Sequence, residues 1–162
     1  MEINDISLDV ELDGAAAPQA VSGFIADARS GYYPGKTCHR LTDDNFYVLQ
    51  CGSLDGLGGP DPDFSYGPIE NAPENDFYPA GTIAMARMSG QADSNGHQFF
   101  IVYDDTTIRS DAAGGYTVVG RVTSGLAELN EKVTSAGVQP GSGATNDGPP
   151  AVTTVLGNVE LN

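Results

Sequence analysis

Residues 6–12 have the sequence Ile6-Ser7-Leu8-Asp9-Val10-Glu11-Leu12, in which apolar and polar residues alternate without exception. Because successive side chains of a strand point to opposite faces, this pattern is typical of a strand with one buried and one hydrated face. A disordered acidic chain would not be expected to show it. The stretch therefore indicates a folded protein that contains β-structure.

The composition narrows the possible partners but leaves the fold class open. The chain has 162 residues, with 22 Asp and Glu against 7 Lys and Arg, and its formal net charge is -15. This length fits one domain, and we expect residues 1–162 to form a single domain. A surface this acidic repels phosphates and anionic lipid head groups. We therefore expect neither nucleic acid nor a membrane surface as a partner.

The sequence also bears on localisation. No apolar run approaches the ~18 residues that a membrane span requires. The residues after Met1 lack the basic and then apolar pattern of a secretory signal. We expect a cytoplasmic protein, with an extracytoplasmic location as the alternative if a leader or anchor has been removed.

Further patterns predict two helices and several short strands. Pro18 stands at a first helical position, apolar residues follow at spacings of three and four, and Gly31 ends the pattern. Ser124 is the expected N-cap of a second helix. The other strand candidates are residues 38–41, 47–51, 82–87, 97–103, 116–122 and 152–161. Many short strands without βαβ alternation favour an antiparallel barrel or sandwich whose open ends the helices cover.

Two loop segments resemble cofactor sites only in part. Residues 52–59 are rich in glycine, but they lack the lysine and the following helix of a phosphate loop. Residues 61–72 begin like a calcium loop, yet Tyr66 stands at the sixth position instead of Gly and Ala72 at the twelfth instead of Glu. We expect no cofactor and no metal.

Polar residues stand within two strand candidates where apolar residues would be expected. Arg40 is one of few cations in the chain, and it lies inside a strand rather than at a turn. In the candidate 97–103, Gln98 and Phe100 share one face. An amide beside an exposed aromatic ring is consistent with a peptide-binding surface. The alternative is that Arg40 forms a structural ion pair and Phe100 simply packs.

Five linked motifs follow one another along the chain. They are Cys38-His39-Arg40, Phe46-Tyr47-Val48-Leu49-Gln50-Cys51-Gly52, Ala84-Met85-Ala86-Arg87, Asn95-Gly96-His97-Gln98-Phe99-Phe100-Ile101 and Tyr116-Thr117-Val118-Val119-Gly120-Arg121-Val122. In order and approximate spacing these motifs resemble the cyclophilin family. The resemblance covers nearly the whole chain and is closest to bacterial, actinobacterial-type members. It implies a closed eight-stranded antiparallel β-barrel capped by two α-helices, with peptidyl-prolyl cis-trans isomerase activity that assists protein folding.

The resemblance also implies which residues form the site. By position, the catalytic residues would be Arg40, Gln50 and Phe100. Tyr47 and Val48 would wall a proline pocket, whereas Ala86 and the backbone of Arg87 would bind the substrate main chain. The remaining substrate-binding residues would be Gln98, Ile108 and Tyr116.

The chain departs from the family pattern at several site positions. Cys38 replaces a Phe, Val48 a Met, Arg87 an Asn and His97 a Ser. The chain has no Trp, so the residue that contacts cyclosporin in many members is missing, with Ile108 nearest to its place. We expect a monomer that acts on proline-containing peptides and flexible protein segments and binds cyclosporin weakly. A non-catalytic proline-peptide binding or chaperone module is the alternative.

The two cysteines flank the predicted hairpin. If Arg40 and Gln50 both lie on the active face, alternation places Cys38 on that face and Cys51 on the other. This arrangement favours free thiols, unless a bulge shifts the register of the hairpin.

Overall fold

The computed structural model describes residues 1–143 and 145–162. Strand β1, Glu2–Ile3, pairs antiparallel with β2, Ile6–Ser7, and β3 follows at Asp9–Leu12. The alternating segment is therefore two strands separated at Leu8, not the single strand that its pattern predicts. Its alternation is correct, since Ile6 and Leu8 are buried whereas Ser7 and Asp9 are exposed.

The strands after β3 are β4 Cys38–Asp44, β5 Phe46–Cys51, β6 Phe77–Tyr78, β7 Thr82–Met85, β8 Phe99–Val102, β9 Thr106–Thr107, β10 Val118–Ser124 and β11 Asp147–Gly148. Seven strands form an antiparallel sheet with the hydrogen-bonded order β11-β4-β5-β8-β7-β10-β3. A separate two-stranded sheet joins β6 and β9.

The C-terminal segment links this sheet to the β1–β2 pair without forming a regular strand. On one side, the Cys38 amide donates to the Thr154 carbonyl at 2.9 Å. On the other, the Gly157 amide donates to the Glu2 carbonyl, also at 2.9 Å. Residues 154–158 thus bridge β1 and the start of β4. The prediction of a strand over 152–161 is wrong, because the segment forms hydrogen bonds but no regular strand. The expected mainly-β fold with two helices is confirmed.

Helix α1, Pro18–Ser30, begins and ends where the sequence predicts. Gly31 terminates it at φ 73°, a left-handed conformation that glycine adopts without a steric penalty. The Glu70 carboxylate caps its first turn by accepting hydrogen bonds from the amides of Gln19 and Ala20. This cap comes from a residue distant in the sequence, which is why local pattern alone could not reveal it.

Helix α2, Leu126–Lys132, begins one residue later than predicted, and a 3-10 turn follows at Thr134–Ala136. Its N-cap is Gly125, at φ 92°, and not Ser124. A Cβ atom at position 125 would collide with the carbonyl oxygen of Ser7, so only glycine fits there. None of the described helices is long and apolar enough to cross a membrane.

Alternation along the central strands creates two separate apolar clusters. In β8, Phe99 and Ile101 belong to the main core, whereas Phe100 and Val102 belong to a second cluster on the other face. All four side chains are buried. The second cluster is completed by Val48, Tyr78 and Ala84. The sheet is therefore covered on both faces at this point, and the second cluster forms the apolar base of the candidate site.

Cys38 and Cys51 form a disulfide, so the expectation of free thiols is wrong. The register of β4 against β5 pairs Cys38 with Cys51 and Arg40 with Gln50, with a bulge between Cys38 and Arg40. The extra residue, His39, moves Cys38 to the face of Cys51 while Arg40 remains beside Gln50. Both cysteines are buried in the main core.

Candidate functional site

Three polar side chains form a continuous hydrogen-bonded row, two from the neighbouring strands β4 and β5 and one from the residue just before β8. The Arg40 Nη1 donates to Gln50 Oε1 at 3.1 Å, and the Gln50 Nε2 donates to Gln98 Oε1 at 2.9 Å. The Gln98 Nε2 in turn donates to the carbonyls of Gly58 and Gly59, at 3.2 and 2.8 Å. The structure thus brings together the three polar residues that the sequence placed in the site. It also ties them to the long loop after β5.

Asp147 binds the opposite edge of the Arg40 guanidinium. The Arg40 Nε lies 2.6 Å from Asp147 Oδ1, and the Nη2 lies 2.7 Å from Oδ2. This bidentate contact lowers the pKa of Asp147 below its ordinary value, because the hydrogen bonds and charge of Arg40 favour the carboxylate. The structural ion pair considered for Arg40 therefore exists, and it coexists with the polar row. Sequence reasoning missed Asp147, which lies 107 residues away.

The second apolar cluster lies beside this row, since Phe100 is paired with Gln50 across β5 and β8. Phe100 and Val48 are its buried base, and Ala86, Ile108 and Tyr116 pack against them. The rings of Phe100 and Tyr116 meet edge to face, with centroids 5.4 Å apart. Five predicted site residues therefore meet in one cluster beside the polar row.

Tyr47 is the exception among the predicted pocket residues. Its ring contacts Tyr103, with centroids 5.9 Å apart, and it does not pack against the second cluster. The adjacent Phe46 packs there instead, and its ring lies 5.7 Å from the Arg40 Cζ. Alternation explains the difference, since Phe46 shares a face with Val48 and Gln50 whereas Tyr47 does not. The structure therefore places Phe46, and not Tyr47, against the second cluster, and the role of Tyr47 as a pocket wall stays a prediction.

Arg87 borders the pocket, but its side chain is already fully engaged. The guanidinium binds the Asp111 carboxylate and donates to the carbonyls of Met88, Gly114 and Gly115. Its Cζ also lies 4.8 Å from the centroid of the Tyr116 ring. The side chain therefore supports the segment that carries Tyr116, which leaves only the backbone of Arg87 for the substrate contact that the resemblance implies.

A cavity of about 280 Å³ continues from the polar row under the long loop. Gln50, Gln98 and Ala86 line one side of it, and two carboxylates, Asp61 and Asp93, line the other. The cavity has room for an extended peptide chain beyond the apolar cluster, and the two carboxylates make its surroundings negatively charged.

His97 secures the loop that covers this cavity. Its ring stacks between Tyr32 and Phe64, with centroids 4.1 and 4.3 Å away. Its Nδ1 lies 2.8 Å from Asp27 Oδ2 on α1, and its Nε2 lies 3.2 Å from Asp61 Oδ2 in the loop. Burial raises the pKa of Asp27. The sequence identified His97 only as a departure from the family pattern, because its partners lie on distant segments.

The comparisons with known proteins agree with this geometry. The family model described as cyclophilin type peptidyl-prolyl cis-trans isomerase/CLD matches residues 1–150. A probable peptidyl-prolyl cis-trans isomerase B of Mycobacterium leprae is 36% identical over 174 residues, covering 100% of this chain and 56% of that protein. The isomerase B of Bacillus subtilis is 34% identical over 119 residues, covering 74% of this chain and 78% of that protein.

The fold has solved relatives as well. A crystal structure of a Cryptosporidium parvum cyclophilin type isomerase superposes with a TM-score of 0.74 at 24% identity, over 99% of this chain and 96% of that one. The chain spans about half the length of the mycobacterial relatives it matches. From its family match and its relatives, the chain belongs to the cyclophilin-type peptidyl-prolyl cis-trans isomerase family.

Proposed function

We propose that this chain accelerates cis-trans rotation about X-Pro peptide bonds in polypeptides. The observation that carries the proposal is the position of the Arg40 guanidinium, which is held by Gln50 beside the apolar cluster of Phe100. Apolar side chains arranged in this way can accept a pyrrolidine ring, and the neighbouring guanidinium can donate a hydrogen bond to the ring nitrogen. The names of the relatives support the same activity.

The reaction requires that amide resonance be lost, over a barrier of about 18–20 kcal/mol. As the bond twists, the proline nitrogen becomes pyramidal, and its lone pair, which resonance shares with the carbonyl in the planar state, becomes localised on the nitrogen. Arg40 has five N–H groups, of which those bonded to Gln50 and Asp147 are occupied. Among the described residues, one N–H on Nη1 and one on Nη2 have no recorded acceptor. A donor aimed at the developing lone pair stabilises the twisted state more than the planar one, and this difference lowers the barrier.

The other site residues hold the substrate. Phe100, Val48 and Phe46 would enclose the pyrrolidine ring, and Gln98 with the backbone at Ala86 would bind the main chain before the proline. The Cryptosporidium parvum structure was determined in the presence of the dipeptide Ala-Pro, which is consistent with a proline-peptide site in this fold. We propose flexible, proline-containing protein segments as substrates.

An isomerisation assay separates this proposal from a non-catalytic binding module. A short X-Pro peptide would be mixed with the protein, and its cis-trans exchange would be followed by NMR line broadening and magnetisation transfer. We expect exchange to become faster at substoichiometric protein. Peptide binding without any acceleration of exchange would contradict the proposal and favour the binding module.

We also propose weak cyclosporin binding, since the contact that a Trp would provide is missing and Ile108 packs near its place. Calorimetry should give an affinity weaker than micromolar, and Ile108→Trp should strengthen it. A sub-micromolar affinity of the unmodified chain would contradict this proposal.

A further inference from the structure

We infer that Asp147 is a positioning residue for isomerisation, acting through its bidentate contact with Arg40. The inference rests on the proposed function, because it concerns the group that would donate to the proline nitrogen. Neither the family motifs nor the polar row includes this residue.

The guanidinium is fixed from three directions. Asp147 binds Nε and Nη2 at 2.6 and 2.7 Å, Gln50 binds Nη1 at 3.1 Å, and the Phe46 ring lies 5.7 Å from Cζ. A two-point contact with a planar group sets both its position and the orientation of its plane. Gln50 alone would leave the guanidinium free to rotate about that single hydrogen bond.

The carboxylate is itself held by the backbone. Strand β11 pairs antiparallel with β4, with Asp147 opposite Thr42 and Gly148 opposite Leu41. Asp147 therefore lies on the strand next to the one that carries Arg40. Because those backbone contacts do not involve the carboxylate, removing it disturbs the guanidinium more than the strand.

The pair also determines which N–H groups remain for a substrate. With Nε and one N–H of Nη2 bound to Asp147, and one N–H of Nη1 bound to Gln50, one N–H on each of Nη1 and Nη2 remains. Side-chain fractional exposures of 36% for Arg40 and 52% for Asp147 leave the pair accessible to a substrate. Asp147 therefore presents these donors in a fixed direction.

A positioning role of this kind affects the transition state more than the bound substrate. In the planar peptide the lone pair of the proline nitrogen is delocalised into the carbonyl, so an oriented donor gains little there, whereas the twisted peptide accepts the full hydrogen bond. Loss of Asp147 should lower kcat and leave KM nearly unchanged. A residue that merely held β11 in place would not produce this split.

The test compares Asp147→Ala, Asp147→Glu and Arg40→Ala, singly and in the Asp147→Ala/Arg40→Ala double variant, by NMR exchange on one X-Pro peptide. We expect Asp147→Ala to lower kcat by roughly tenfold, the loss of a charge-assisted hydrogen bond, and to change KM by less than about twofold. The Asp147→Glu variant should retain most of kcat.

In the Arg40→Ala background, Asp147→Ala should have no further effect, because its action passes through Arg40. Asp9→Ala, which removes an equal charge from an exposed position on β3, is the matched control and should behave like the unmodified chain.

Two results would overturn the inference. One is a kcat of Asp147→Ala within about twofold of the unmodified chain. The other is an equal fold loss for Asp147→Ala in the presence and absence of Arg40, which would assign it a structural role. Failure of the proposed function gives a different result, because the unmodified chain would then show no acceleration at all.

Discussion

Arg87 and Asp111 form a bidentate ion pair at the edge of the pocket, with Nη1 and Nη2 lying 3.0 and 2.9 Å from the two carboxylate oxygens. The Arg87 side chain is completely buried, and that of Asp111 is 30% exposed. The pair connects the end of β7 to the segment that carries Ile108 and Tyr116. Since the resemblance implies only a backbone role for position 87, the support of this wall by an arginine was not predictable from the family pattern.

Asp111→Asn should destabilise the folded chain at neutral pH, because it leaves the buried Arg87 guanidinium without its counter-charge. The melting temperature should fall by several degrees or more, measured by circular dichroism. Asp104→Asn, which removes an equal charge from an exposed loop position, is the control and should leave it nearly unchanged. Equal melting temperatures for Asp111→Asn and the unmodified chain would contradict the structural role of the pair.

Because of the same pair, the free energy of unfolding should depend on pH in the acidic range. Hydrogen bonds and charge from Arg87 hold the pKa of Asp111 well below its ordinary value of 3.8, which applies in the unfolded chain. The stabilisation is therefore fully present above the ordinary pKa, and it is lost as the pH falls below that value. Urea unfolding at about pH 7 and about pH 3 should show a smaller loss of stability for Asp111→Asn than for the unmodified chain. Identical losses in the two proteins would show that other carboxylates cause the acid sensitivity.

Reduction of the Cys38–Cys51 disulfide should lower stability without removing the fold. The bond closes a loop with a sequence separation of 13 residues, and a loop of this size is worth about 3 kcal/mol through the entropy of the unfolded chain. Urea unfolding with and without reductant should show this difference, and the Cys38→Ala/Cys51→Ala variant should be insensitive to reductant. A titration that finds two reactive thiols in the unfolded, unreduced chain would contradict the disulfide itself.

The acidic surroundings of the site should favour basic peptides. Asp61 and Asp93 line the adjoining cavity, while the positive charge of Arg40 is balanced by Asp147. A peptide with Lys before the proline should therefore have a kcat/KM several-fold higher than one with Glu, and the difference should shrink near ~1 M salt, where screening acts over about 3 Å. Asp93→Asn should reduce the preference. Equal rates for the two peptides at low salt would assign the net charge of -15 to solubility alone.

Local pattern predicted the parts of the site that lie on central strands. Period-two alternation placed Phe100 on the same face as Gln98, which lies just before β8 and bonds Gln50. The resemblance placed Arg40 and Gln50 in one site, and the structure pairs them across β4 and β5. The bulge at His39 could not be predicted, because an extra residue leaves no mark on composition. It reversed the expectation for the two cysteines.

Contacts between distant segments account for the other differences. Asp147, Asp111 and Glu70 each act on a residue that no local pattern connects to them. The C-terminal segment has the composition of a strand, but its hydrogen bonds pass to two different neighbours and do not form a regular ladder. Tertiary pairing, rather than propensity, decides such positions.

The most direct test of the account is the isomerisation rate of Arg40→Ala on a short X-Pro peptide, with peptide affinity measured separately. The account predicts that kcat/KM falls by about 10²–10³-fold, the loss expected for one preorganised donor to the transition state, while peptide affinity changes little. The apolar pocket built on Phe100 remains in that variant to bind the proline ring. A variant that isomerises the peptide at the rate of the unmodified chain would contradict the proposal that Arg40 carries catalysis.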